Sequence, residues 1–153
     1  MRNLNLCALF LLLGMNCLNA QITVVKDSKP VSRILVEKGE AVDNQAALLL
    51  QDFVKRISGA SLPVVNDKSP RKGDIVIGGN DVSGLTEDGF RLKTENGIVF
   101  ISSGGDKGNI YGVVTLLEDY LGVAYYGANA YTLTERSTVV IPELDRAENP
   151  AFR

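Results

Sequence analysis

The chain has 153 residues, 16 basic and 18 acidic side chains for a net charge of −2, no histidine, no tryptophan and two cysteines. Charges this balanced give no electrostatic basis for gripping nucleic acid or an anionic membrane surface. Without histidine, and with only Cys7 and Cys17, His-based triads and ordinary zinc centres are excluded.

The first element is a leader. Arg2 gives a short basic start, Leu4 to Leu13 is apolar apart from Asn5, and Leu18-Asn19-Ala20 supplies small residues for cleavage. Residues 1–20 therefore predict a secretory signal peptide. The apolar run is too short to cross a bilayer of about 30 Å as a helix. Asn16 directly before Cys17 is a poor fit to a lipidation box, so export to the periplasm or the extracellular space is expected rather than a lipid anchor. Cleavage would leave 133 of the 153 residues. It would remove both cysteines and Arg2, taking the charge from −2 to −3. A cysteine-free exported domain of this length has to be held together by one apolar core.

Beyond the leader, Ile22 to Val25 and Ser32 to Val36 read as strands around a turn at Asp27 to Pro30. Val42, Ala46, Leu49, Leu50, Phe53, Val54 and Ile57 then recur at helical spacing. Asp43 or Asn44 is the expected cap, Lys55 and Arg56 occupy the last turn, and Gly59 is the stop. Leu62 to Val65 and Asp74 to Ile77 read as strands. Phe90 to Thr94 and Ile98 to Ser102 flank Glu95-Asn96-Gly97, the chemistry of a tight hairpin turn. A second helix is expected from Asn109 to Leu121, with Ile110, Val113, Val114, Leu117 and Leu121 inward and Gly122 as its stop. Val123 to Tyr126 and Thr138 to Ile141 read as further strands, and the loop Gly127 to Arg136 lies between them. The charged segment 142–153, with two prolines, reads as a linker. The sum is an α/β (α+β) two-layer sandwich: a mixed sheet of about seven short strands under two amphipathic helices, spanning 21–141.

Three motifs bear on chemistry. Gly104-Gly105-Asp106-Lys107-Gly108-Asn109 follows a strand and opens a helix, but it matches neither G-x-x-x-x-G-K-[ST] nor G-x-G-x-x-G. It reads as a glycine-rich turn with Asp106 as cap rather than a phosphate cradle. Glu87-Asp88 and Glu118-Asp119 are carboxylate pairs, but helix neighbours point about 100° apart and cannot face one another across a glycosidic bond. Both read as solvated surface. An enzyme in its own right would need acids from separate loops, such as Asp81, Glu87 and Asp106. Tyr111, Tyr120, Tyr125, Tyr126 and Tyr131 fall in the last third, either packed at the sheet edge or presented to a sugar or a neighbouring domain.

Three segments in combination resemble a known module: AALLLQDFVKRISGASLPVV, DGFRLKTENGIVFISSGGDKGNIYGVVTLLEDYLGVAYY and IPELDRAENPAFR. Together they look like the non-catalytic N-terminal α/β domain of secreted glycoside hydrolases. The nearest resemblance is to α-glucuronidases and their relatives, with a similar domain in β-N-acetylhexosaminidases. It covers nearly all of 21–153. The resemblance implies a partner, a (β/α)₈ catalytic barrel following residues 142–153, which would carry the catalytic carboxylates. It implies no catalytic, metal or cofactor residue within this chain. The chain departs from the pattern at Lys107, where relatives often have Arg, and at Val123-Ala124-Tyr125-Tyr126, where they often have Cys-Arg-Trp-Tyr. Candidate interdomain or sugar-proximal residues are Lys107, Tyr125, Tyr126, Tyr131, Phe152 and Arg153. The alternative reading is a stand-alone carbohydrate-binding or scaffold module.

Overall fold

A computed structural model describes residues 21–36, 40–105, 107–127 and 130–150. The leader, Asp106, Phe152 and Arg153 lie outside the described residues.

The apolar runs Ile34–Val36 (β3) and Ile75–Ile77 (β5) are buried at every position. That is the pattern of central parallel strands covered on both faces. They lie at the middle of a six-stranded sheet of order β11-β6-β7-β5-β3-β4, where β4 is Val64–Val65, β6 Phe90–Glu95, β7 Ile98–Ser103 and β11 Asp145–Glu148. Pairing is parallel from β7 through β5 and β3 to β4, and antiparallel between β6 and its neighbours β7 and β11. The β6–β7 hairpin turns on Asn96 and Gly97 at φ 52° and 77°. Positive φ at both central residues gives a turn whose twist matches the strands, and Asn-Gly supplies it at least cost.

Helix α1, Ala41–Ser58, crosses from β3 to β4 and packs on β3, β4 and β5. It ends at Gly59, whose φ of 76° closes the helix with an N–H donated to the Lys55 carbonyl. Helix α2, Gly108–Thr115, packs on β6, β7 and α1. Its continuation Leu116–Tyr120 widens into a π turn closed by the Leu121 N–H to the Leu116 carbonyl at 3.1 Å. Both helices thus cover one face of the sheet. Between the layers lie Ile34, Ile75, Ile77, Val99, Ile101, Leu92 and Phe90 from the sheet, with Leu50, Phe53, Val54, Val113 and Leu117 from the helices. Two small sheets complete the fold. One is β10-β1-β2, formed by Val139–Ile141, Ile22–Lys26 and Lys29–Pro30. The other is the ribbon β8–β9, Val123–Gly127 with Ala130–Leu133.

The expected two-layer α/β arrangement is therefore present, with eleven strands among the described residues rather than about seven. Three of the additional strands fall where a turn, a loop and a linker were expected. Lys29–Pro30 pairs with β1 across Asp27 and Ser28, both at positive φ, so the turn is a hairpin. Ala130–Leu133 pairs with β8, and Asp145–Glu148 pairs with β6 at the edge of the main sheet. Two expectations at helix ends also change. Glu40, not Asp43 or Asn44, stands at the N-cap of α1 and makes no side-chain cap; Asp43 is buried inside the first turn. The second helix ends in a π turn rather than continuing as α-helix to Leu121.

Candidate functional site

The glycine-rich stretch after β7 has a clear structural use. A Cβ on Gly104 would collide with the Thr86 carbonyl oxygen, one on Gly105 would come 2.7 Å from the Glu87 carbonyl oxygen, and one on Gly108 would collide with the Gly89 carbonyl oxygen. The segment lies backbone against backbone on the loop that precedes β6, and Gly104 donates to the Gly89 carbonyl at 3.0 Å. Only residues without side chains permit that approach. The glycine-rich stretch is thus a structural turn.

The same turn forms one wall of a polar pocket of about 210 Å³ at the carboxyl ends of β3, β5 and β7. Glu40 and Asp43 enter from the start of α1, Asn109 from the start of α2, and Ser103 and glycines 78, 79, 104 and 105 from the strand ends. Asp43 and Asn109 are buried, at 4% and 3% exposure. Asn109 Nδ2 donates to Asp43 Oδ1 at 2.6 Å and ties the two helices together. The other end of that amide, Oδ1, is buried with no hydrogen-bond partner. This pair is not legible in the sequence. Asp43 reads as a cap residue by position, and nothing local links it to Asn109, 66 residues away.

The expected site residues divide into separate places. Tyr125 and Tyr131 are cross-strand partners on the β8–β9 ribbon. Both pack edge-on against Phe53, at 5.4 and 5.1 Å between centroids. Arg56 Nη1 donates to the Tyr131 hydroxyl at 2.6 Å, and Arg56 Nε to Asp52 at 2.7 Å. The Tyr125 hydroxyl is buried without a partner. Burial, then the nearby Glu118 carboxylate, pushes that phenol up to about 12. Tyr126 is 73% exposed. Lys107 is exposed at the N-cap of α2, beside a hollow lined by Val42, Gln45, Ile110 and Tyr111. The thirteen residues of α2 and its π turn separate it from β8, about 20 Å of helix. The structure thus joins Tyr125 and Tyr131 and places Lys107 elsewhere.

The acids weighed for catalysis are engaged differently. Asp81 takes an ion pair from Arg91 at 2.5 Å and a looser one from Lys93 at 3.8 Å. The Arg91 hydrogen bond holds its carboxyl below the usual range. Glu87 backs onto Gly105, and Asp119 is bridged by Arg146 to the tail. Among the described residues no group of three or more His, Cys, Asp or Glu side chains could hold a metal ion. Nor is any described helix long and apolar enough to cross a membrane.

Comparison with known proteins places this geometry. Residues 19–118 match the model of glycosyl hydrolase family 20, domain 2. Among solved structures, the fold is similar to part of a GH20 exo-beta-N-acetylglucosaminidase from Vibrio harveyi, with a TM-score of 0.56 and 20% identity over 87% of this chain and 17% of that one. It is similar also to part of BtGH115A, a 4-O-methyl-alpha-glucuronidase with specificity for decorated arabinogalactans. There the TM-score is 0.58 and the identity 16%, over 84% of this chain and 18% of that one. At these identities the likeness is one of fold, and this chain spans less than a fifth of either structure's length. No curated protein sequence matches the chain significantly.

Proposed function

The chain belongs to the family of glycosyl hydrolase family 20, domain 2, and from that premise we propose that it acts as the non-catalytic accessory domain of an exported glycoside hydrolase. Its task in this reading is mechanical: it buttresses a (β/α)₈ catalytic barrel that follows residues 142–153 in the same polypeptide. The family match over 19–118 is the observation that carries the proposal. The partial coverage of much longer hydrolases is in keeping with it. Whether the parent enzyme cleaves α-glucuronides or β-N-acetylhexosaminides belongs to the barrel's chemistry. The proposed contact surface includes Tyr126, whose exposed ring would be worth covering, and the ribbon around Tyr125 and Tyr131. Lys107 and the tail with Phe152 and Arg153 complete the candidate set.

The experiment is a blot of the native source with an antibody raised against residues 21–153. The expected band is several times larger than this domain and lies in the exported fraction. A band at the domain's own mass overturns the reading in favour of a stand-alone module. A second measurement follows from the mechanical role. The domain should melt higher when joined to the downstream segment than alone, and Tyr126→Ser should narrow that gap.

A further inference from the structure

We propose that the polar pocket at the carboxyl ends of β3, β5 and β7 is a binding site for a small neutral polyhydroxyl ligand, a single sugar ring or short polyol, gripped by Glu40, Asp43 and Asn109. The pocket holds an orphan oxygen. Asn109 is 3% exposed and lines the pocket, yet its Oδ1 has no hydrogen-bond partner. The orientation of that amide is dictated by its neighbour. Only the NH₂ end can face the Asp43 carboxylate, so the acceptor end is the one left unpaired. Buried polar atoms are almost always satisfied, and an unsatisfied one in a polar cavity asks for a hydrogen-bonding guest.

The guest's chemistry follows from what surrounds it. Both helices begin at the pocket, and neither N-cap residue, Glu40 or Lys107, caps its helix with its side chain. The first N–H groups of each helix are donors, and they carry the positive end of its dipole. Glu40 and Asp43 are carboxylate acceptors. An anion would meet two carboxylates. A metal cation would meet two positive helix ends, and the described residues hold no cluster of three acidic ligands. A neutral group that both donates and accepts satisfies all four features at once, and a hydroxyl is that group. Backbone at glycines 78, 79, 104 and 105 forms much of the wall. The volume of about 210 Å³ is below the ~300–1,000 Å³ of pockets for drug-sized ligands, which limits the guest to one ring. The position also obeys a general rule for sheets with parallel strands, whose ligands gather beyond the carboxyl ends. The site is separate from the accessory role above; that reading guides only the choice of probes.

The test is an amide NMR titration of the ¹⁵N-labelled full chain with N-acetylglucosamine, D-xylose and glycerol, each taken into the millimolar range. The expected result is saturable movement of the Gly78, Gly79, Gly104 and Gly105 amides and of the Asn109 side-chain NH₂ with at least one probe. Glu40→Gln, at an exposed position, should keep the spectrum of the free protein and weaken that binding about tenfold. Tyr126→Ser should leave it unchanged. The proposal is overturned if none of the probes saturates these amides. It is equally overturned if movement is confined to β8–β9, or if calcium chloride moves these glycines while the sugars do not. Absence of sugar binding would leave the accessory reading standing. A native band at the domain's own mass would refute that reading and leave this site untouched.

Discussion

At the scale of single residues, the structure sorts polar groups by whether they are paired. Asp74 is buried and accepts from Arg33 Nε at 3.1 Å, Arg33 Nη2 at 2.6 Å and the Arg71 N–H at 2.8 Å. Burial pushes its carboxyl up, but the Arg33 hydrogen bond, the Arg71 N–H and the Arg33 charge outweigh it, and the net shift is downward. A carboxyl depressed by folding contributes stability that is present above its unfolded value of about 3.9 and is lost as pH falls through the folded value. Urea midpoints should therefore fall below about pH 4, and Asp74→Asn should flatten that limb while lowering stability at neutral pH by about 3 kcal/mol. Tyr125 is the opposite case. Its raised phenol favours the protonated form in the folded state. That contribution is complete below the unfolded value of about 10 and is lost as pH rises toward about 12. A tyrosinate titration should show one late component that Tyr125→Phe removes. Because its hydroxyl is buried without a partner, that substitution should leave the isolated chain as stable or up to about 1 kcal/mol more stable.

At the scale of elements, helix α1 and the turn into α2 carry the most. Phe53 joins the core to the aromatic ribbon through Tyr125 and Tyr131. Phe53→Ala should cost about 3–5 kcal/mol and loosen the ribbon, visible as faster amide exchange in β8 and β9. Gly104→Ala is a different kind of damage. The obstacle is the Thr86 backbone, which cannot rotate away as a side chain could. A loss of about 1–3 kcal/mol or more is expected from chemical denaturation, with the loop before β6 displaced. The periodicity of α1 was legible because a helix over a sheet needs one apolar stripe and little else. Strand β11 was not legible. Asp145-Arg146-Ala147-Glu148 has no apolar alternation, because an edge strand can pair by backbone alone and benefits from charge. Its place is set by partners distant in sequence: Arg146 reaches Asp119, and Thr94 Oγ1 accepts from the Leu144 N–H at 3.1 Å.

At the scale of the whole molecule, the tail is part of the fold. Leu144 is buried, β11 closes the exposed edge of β6, and Asn149 grips the loop before it. The Asn149 Oδ1 accepts from the Thr86 N–H at 2.8 Å, and its Nδ2 donates to the Gly84 carbonyl at 2.9 Å. Residues 144–149 are therefore held against the sheet. Deleting residues 142–153 should cost at least the ~1.5–3 kcal/mol of one buried leucine side chain and should open the β6 edge to aggregation. Thermal melting with light scattering would register both, and an unchanged melting curve would mean that the tail is only laid against the sheet.

Several features were determined by local chemistry and so were readable without coordinates. Gly59 and Asn96-Gly97 mark positions where the backbone needs positive φ. The stripe from Ala46 to Ile57 defines a helix with one buried face. The runs Ile34–Val36 and Ile75–Ile77 define strands. What only the tertiary structure decided are the meetings of distant residues. Asp43 faces Asn109, Asn149 reaches Thr86, Tyr125 pairs with Tyr131 away from Lys107, and Gly104 is pressed on Thr86. Periodicity reports which face of one element is buried. It carries no information about which other element covers that face, and the pocket is made where two helix starts and three strand ends converge.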